Sequence, residues 1–189
     1  MTLRLFILII VTGVLTSCES EEEALLKNPV QINKYFPISQ FIDGQIPLLD
    51  GQLVRKEVDI NGDRHQVEQI LNERDWREEF DWFIQSDINK ASLAQSYHIE
   101  EMWNLVSYTL KPGEKGTLQK MEVLYDGDQV KEINILSSRK NTFYRSTASS
   151  RLTTGEDGVI NTYRMESTQK VWFLDPNNLL VVSEVQREQ

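Results

Sequence analysis

Apolar positions divide the chain into three stretches of different character. Leu5 to Leu15 is a run of eleven residues in which only Thr12 and Gly13 are not strongly apolar. A membrane-spanning helix needs about 20 apolar residues, so this run is too short to cross a bilayer and fits the h-region of a signal peptide, with Arg4 before it as the basic flank. Further on, Leu53 to Ile60 and Asp63 to Ile70 are two strand-like runs separated by Asn61-Gly62. Asn-Gly is the strongest short-range hairpin signal, because a type I′ turn needs two residues that tolerate positive φ. That loop predicts a register with Ile60 facing Asp63, Asp59 facing Arg64, Val58 beside His65, Lys56 beside Val67 and Arg55 facing Glu68. One face of the hairpin is then charge-paired and the other partly apolar.

Between these stretches and after them the period changes. Phe41, Ile42, Ile46 and Leu49 recur at helical spacing, but Gly44 and Pro47 lie inside the run and predict a short or kinked helix. Trp76, Phe80, Phe83 and Ile84 fall on one face of a helix expected from Glu73 to about Asp87, with Asn72 and Asp75 placed as a cap and Glu73–Arg77 and Arg74–Glu78 as i,i+4 pairs. Trp82 lies about 240° round from Trp76 at 100° per residue, off the apolar face; core or half-buried packing is the expectation, and an exposed contact for membrane or partner the alternative. A short helical turn is expected within Ile88 to Ser96. From about Asn104 six strands follow, over 104–110, 121–125, 130–136, 143–153, 159–173 and 179–185, punctuated by turns such as Asp126-Gly127 and Asp175-Pro176. Short loops with no crossover helices imply antiparallel pairing. The expected class is α+β: an antiparallel β-meander of about six strands packed against one or two helices, preceded by the β-hairpin.

Charge and cysteine content narrow the setting. The chain of 189 residues carries 20 Lys+Arg against 29 Asp+Glu. A net negative protein is a poor partner for nucleic acid and has no overall electrostatic pull toward anionic lipid, so membrane contact is expected to come from a lipid modification. Cys18 is the only cysteine. The domain after it must therefore fold without disulfides.

Cys18 follows Leu15-Thr16-Ser17, and this segment resembles the lipobox of bacterial lipoproteins. The resemblance implies cleavage between Ser17 and Cys18 by a lipoprotein signal peptidase, and attachment of diacylglycerol and a further acyl chain such as palmitate at Cys18. It implies a signal peptide over 1–17, a lipidated acidic tether over 18–27 and a single α+β domain over 28–189. Two or more acyl chains hold a soluble domain at a membrane where one holds it marginally. Glu19-Ser20-Glu21-Glu22-Glu23 is similar to the acidic segment after the cysteine in lipoproteins of the Bacteroidota, which points to the outer membrane, at its periplasmic or cell-surface face. Asp87-Ile88-Asn89-Lys90, after an aromatic helix, resembles a stretch of lipoproteins from the same phylum and brings no activity with it.

Candidate chemistry is sparse. His65 and His98 stand 33 residues apart with no partner at ligand spacing, so no metal site is expected, and His65 is expected to be packed. There is no Gly-x-Ser-x-Gly elbow and no phosphate-cradling glycine loop; Ser146 to Ser150 reads as a polar strand. Glu78–Glu79 and Glu100–Glu101 are carboxylate pairs that read as solvated faces, and Asp126-Gly127-Asp128 reads as a turn. No catalytic residue and no cofactor are expected. The leading expectation is a lipid-anchored, non-enzymatic envelope protein that binds or assembles with an envelope partner. A carrier or sensor of an apolar ligand, with a cavity between sheet and helix, is the alternative, and an acid–base hydrolase a distant third.

Overall fold

A computed structural model describes residues 32–187, which belong to one compact unit. The expected signal peptide, Ser17, Cys18 and the acidic tether lie outside the described residues. Strands β1 (Gln52–Ile60) and β2 (Asp63–Leu71) form the hairpin expected from Asn61-Gly62, whose φ values are 56° and 92°. Ile60 faces Asp63, Val58 faces His65 and Arg55 faces Glu68, as expected. The remaining strands are β3 (Tyr97–Met102), β4 (Leu105–Leu110), β5 (Leu118–Asp126), β6 (Gln129–Lys140), β7 (Tyr144–Thr154), β8 (Ile160–Val171) and β9 (Asn177–Gln186).

All nine belong to one antiparallel sheet in the order β2-β1-β9-β8-β7-β6-β5-β4-β3. The expected count of about six is therefore too low. Six of the nine are the expected meander. The hairpin is not a separate prelude, because β1 pairs along its second edge with the C-terminal strand β9, and β3 is an added edge strand. The register of β7 with β8 shifts between Thr153–Thr162 and Thr154–Ile160, which leaves Asn161 of β8 as an extra residue, a bulge inside the stretch 159–173. Strand β8 ends at Val171, so Trp172 and Phe173, the last residues of the expected strand 159–173, lie beyond it.

The registers align one row of residues across all nine strands: Val67, Lys56, Ser183, Tyr163, Leu152, Ile133, Val123, Val106 and Glu101. Side chains alternate between faces along a strand, so this row and its neighbours two residues away define the face that packs the core. Leu152, Ile133 and Val123 at the centre are fully buried. The opposite face is polar and carries cross-strand pairs such as Arg55–Glu68 at 2.6 Å.

Among the described residues three α-helices cover part of the apolar face. Helix α1 (Ile38–Leu49) runs through Gly44 and Pro47 and buries Ile38, Ile42, Ile46 and Leu49. Gln45, on the same face, donates to the carbonyl of Gly158 (3.2 Å) and accepts from the amide of Ile160 (2.9 Å), which fixes the helix to the β7–β8 turn. The indole Nε1 of Trp76 donates to the carbonyl of Leu49 at 2.6 Å and so satisfies an orphan group at the end of α1.

The long helix expected over 73–87 is broken. Helix α2 (Glu73–Glu79) starts on the expected cap, with Asn72 Oδ1 accepting from Arg74 and Asp75 amides at 2.9 and 3.1 Å and Asp75 Oδ2 accepting from the Asn72 amide at 3.3 Å. At Phe80 the backbone leaves helical geometry (φ −92°, ψ 7°), and a separate short helix, α3 (Asp81–Gln85), follows. The break lets Phe80 stack on Trp76 (centroids 5.4 Å) while meeting Phe83 and Tyr163 edge-on. Arg74–Glu78 pairs as expected, but Arg77 turns to Asp43 of α1 at 2.8 Å instead of Glu73. Trp82 is half-buried, its indole donating to Ser150 Oγ at 3.2 Å.

After α3 the chain turns through Asp87 to Asn89 and forms a single 3₁₀ turn at Ala91–Leu93 before β3. Asn89 is 2% exposed and uses its whole amide: Oδ1 accepts from the Lys34 and Tyr35 amides (3.1 and 2.9 Å), and Nδ2 donates to the Tyr35 and Phe36 carbonyls (3.2 and 3.3 Å). Asp87 accepts from the Asn89 amide at 2.7 Å and from the Ser39 amide, in the first turn of α1, at 3.2 Å. The Asp87–Lys90 stretch is thus a clasp that holds the entering segment and caps α1. Asn89→Ala would leave several buried backbone groups without partners, at about 1–3 kcal/mol each before relaxation. A loss of about 3 kcal/mol in urea denaturation is expected, with faster amide exchange at Tyr35 as its local signature.

Candidate functional site at one end of the sheet

Because the strands alternate in direction, the connections collect at two ends of the sheet. Loops 111–117, 141–143 and 172–176 and the Asn61-Gly62 turn share one end, called here the tip end; the β3–β4, β5–β6 and β7–β8 turns share the other. The segment from Ile32 packs at the tip end. The Ile32 amide donates to the Asn89 carbonyl at 3.1 Å, Lys34 Nζ donates to the Ala94 carbonyl at 2.6 Å, and Tyr35 meets Tyr97, the first residue of β3, with ring centroids 5.6 Å apart.

The tip itself is built from two adjacent hairpins. Phe143 in the β6–β7 loop accepts from the Trp172 amide through its carbonyl at 3.0 Å, and Trp172 and Phe173 meet edge-to-face at 5.7 Å. Trp172 and Phe173 are each 68% exposed, Phe143 63% and Leu174 55%. Four cations flank them: Arg139 and Lys140 on β6, Arg145 on β7 and Lys170 on β8, with Asp175 the only carboxylate in 139–145 and 170–176. Lys140 pairs directly with Arg145, and Arg145 directly with Lys170. Among the described residues none of the four cations has a carboxylate within 4 Å; Lys170 Nζ donates to the Leu174 carbonyl. The negative net charge is thus an average that this end does not share.

Beside the tip, a cleft of about 350 Å³ opens between α3 with its following turn and strands β5 and β6. Trp82, Ile88 and Leu118 supply apolar walls, and Gln85, Lys90 and Arg139 polar ones. The space exists because the sheet narrows to small side chains there: Ser137 and Ala148 are directly paired and both buried.

A second polar cluster lies under α2. Lys56, on the apolar face of β1, is paired to Glu79 at 2.7 Å, with side-chain exposures of only 13% and 19%. Glu79 also accepts from the Tyr163 hydroxyl at 2.7 Å. Burial first, and the Glu79 charge second, hold the Tyr163 phenol far above its ordinary range. Every charge in this cluster has a partner and the phenol stays protonated, so the arrangement pins α2 to β1 and β8 and leaves no free base. Lysine at an apolar-face position, beside Val54 and Val58, was the signal in the sequence for a buried acid opposite.

The other expected positions are spread apart. Glu78 is exposed and pairs with Arg74, whereas Glu79 belongs to the buried cluster, so this pair is not a solvated face as a whole. Glu100 and Glu101 sit on edge strand β3 and point to opposite faces. His65 keeps its expected place opposite Val58 but is exposed, not packed, because β2 is the outer strand and no helix reaches over it; its Nε2 lies 3.2 Å from Asp63. His98 is exposed on β3, 3.5 Å from Glu100. Ser146 to Ser150 alternate along β7, and Asp126-Gly127-Asp128 is the β5–β6 turn, with Gly127 at φ 59°. Among the described residues no three His, Cys, Asp or Glu side chains gather as a metal site, and no helix is long and apolar enough to cross a membrane.

No family model, no curated protein and no solved structure matches the chain. The geometry therefore carries the functional argument.

Two consequences of the buried groups are measurable. Glu79→Ala strands the Lys56 ammonium and the Tyr163 hydroxyl, and a loss of about 3 kcal/mol is expected in chemical denaturation; Lys56→Met combined with Glu79→Ala should cost less than the two single changes added. Burial raises Tyr97 and Tyr108 from 10.0 to about 12. A raised folded-state value means that the unfolded chain gives up these protons first, so their contribution to stability is complete below pH 10 and is lost as pH climbs from 10 toward 12. Absorbance titration of phenolate should show these tyrosines ionising late, and denaturation midpoints should fall over that window.

Proposed function

We propose that this chain is a lipid-anchored protein of the cell envelope, held at the outer membrane through an acylated Cys18, which works without catalysis as a binding or assembly module and uses the tip end as its contact surface. One contrast carries the reading. Under the helices the core is filled, with Trp76, Phe80 and Phe83 fully buried, while Phe143, Trp172, Phe173 and Leu174 stand together in solvent. Apolar side chains gathered at one place and left uncovered mark an interaction surface, whereas a carrier needs an enclosed apolar cavity.

The cleft beside Trp82 supports a second reading, in which a small amphipathic ligand lodges between α3 and the sheet. Polar side chains, Gln85, Asp87, Lys90 and Arg139 among them, share its walls with apolar ones, and it is open to solvent along Lys90 and Arg139, which suits a lesser role beside the tip. Acid–base hydrolysis has least support, since Glu79 is already bound to Lys56 and Tyr163, and the buried Asp87 accepts from the Ser39 and Asn89 amides.

The anchor is tested by Cys18→Ala. The variant should lose the acyl chains, seen as a mass shift of the N-terminal peptide, and after a high-salt wash it should leave the membrane fraction. Retention of the washed variant at the wild-type level would overturn the lipoprotein reading.

A further inference from the structure

The tip end combines two features that the fold does not need. Four large apolar side chains are left in solvent, and three cations, Lys140, Arg145 and Lys170, stand directly opposite one another across β6, β7 and β8 on the polar face. Like charges in direct register destabilise a sheet. Elsewhere on the same face Arg55 meets Glu68, and where Arg151 stands opposite Arg164 each has a carboxylate at hand, Glu132 at 3.6 Å and Glu166 at 3.3 Å; among the described residues the three tip cations have none within 4 Å. A rim of cations around exposed tryptophan, phenylalanine and leucine has a natural complement in the boundary layer of a bilayer. There, phosphates meet the cations, aromatic rings lie at head-group depth, and the leucine reaches acyl carbon.

The position of the entering segment agrees. Ile32 and Lys34 pack at this same end, against Asn89 and Ala94. Cys18 lies 14 residues before Ile32, a reach of at most about 50 Å, so a chain anchored there can bring the tip to the membrane.

We infer that the hairpin tips carrying Phe143, Trp172, Phe173 and Leu174, with Arg139, Lys140, Arg145 and Lys170, dock on an anionic phospholipid surface and set the orientation of the domain on its membrane. The inference rests on the proposal above for delivery of the domain to a bilayer, and it names lipid as the occupant of that contact surface.

The test uses the full chain, reconstituted into vesicles of phosphatidylcholine and phosphatidylglycerol with brominated acyl chains. The readout is the tryptophan emission that Trp172→Phe removes, taken as a difference so that Trp76, Trp82 and Trp103 cancel. Bromine should quench this component by about twofold or more, as it does for indoles at the head-group boundary. Lys140→Gln with Arg145→Gln should lower the docking equilibrium about twentyfold, and raised salt should act in the same direction. Unchanged near-UV circular dichroism checks that these exposed substitutions leave the fold intact. Equal quenching of wild type and Trp172→Phe would overturn the inference, as would quenching indifferent to the two glutamines and to salt. A photo-crosslinker at position 172 that captures a protein in cells instead of lipid would also overturn it. The mass of the Cys18 peptide is read on the same sample. An unacylated Cys18 would refute the anchor and leave the Trp172 difference readable on the same vesicles.

Discussion

The structure is governed by a mismatch between the width of its sheet and the amount of helix available to cover it. Nine strands at about 4.8 Å spacing make a surface about 40 Å across, and its longest strands run about 40 Å. Among the described residues the α-helices have 12, 7 and 5 residues. At 1.5 Å per residue and about 10 Å in diameter, α1 covers about 18 Å of strand length and a quarter of the width. Apolar side chains can be continuous only where the helices lie, so the apolar rows are interrupted by other chemistry away from them. Glu101 stands at one edge and Lys56 near the other, and Ser137, Ala148 and Ser150 occupy the strands toward the tip end. The cleft beside Trp82 is a direct result, because small residues on β6 and β7 meet the end of a short helix.

Polar groups inside the covered region call for partners when water is removed; among the described residues the hydroxyls of Ser107 and Ser183 are the buried side-chain groups left without one. The Lys56–Glu79–Tyr163 cluster and the Asn89 clasp are two solutions. The first joins three elements through charge, and a fault in any member leaves another group stranded. The second joins backbone to backbone through one neutral amide, and it lets the entering segment end against the sheet without a strand of its own. Both fix α1 and α2 relative to the sheet more narrowly than aromatic packing alone could, because hydrogen bonds are directional and dispersion contacts are not.

Local chemistry was legible in the sequence; long-range closure was not. Asn61-Gly62 specified the hairpin down to its register, and Asn72 with Asp75 specified the start of α2, because each depends on residues within a few positions. The pairing of β1 with β9 leaves little trace, since it joins segments about 130 residues apart through backbone groups common to every sequence. Strand β3 was hidden because Tyr97-His98-Ile99-Glu100-Glu101-Met102 has only two apolar residues on its core parity, and an edge strand needs no more. The break at Phe80 is a tertiary effect, in which burying Phe80 between Trp76 and Tyr163 outweighs continuing the helix. Of the tip, the cations and aromatic residues were visible singly, but their convergence appears only once β6, β7 and β8 are in register.

That convergence is where exposed apolar side chains and cations without a nearby carboxylate come together. Along the polar face, Arg55, Asp59, Glu132 and Arg164 each sit within 4 Å of an opposite charge, so the sheet has the means to neutralise a charged position. Exchanging Arg145 for glutamate would make two favourable cross-strand pairs out of two repulsive ones, a gain of about 0.2–1 kcal/mol for each. Polar residues in place of Trp172 and Phe173 would remove exposed apolar area and leave the packing of the core untouched. A fold judged by stability and solubility alone would take both changes. Local rules broken without local compensation are expected where a surface answers to something outside the chain, and at this end the two breaches ask for the same thing: negative charge beside an apolar phase.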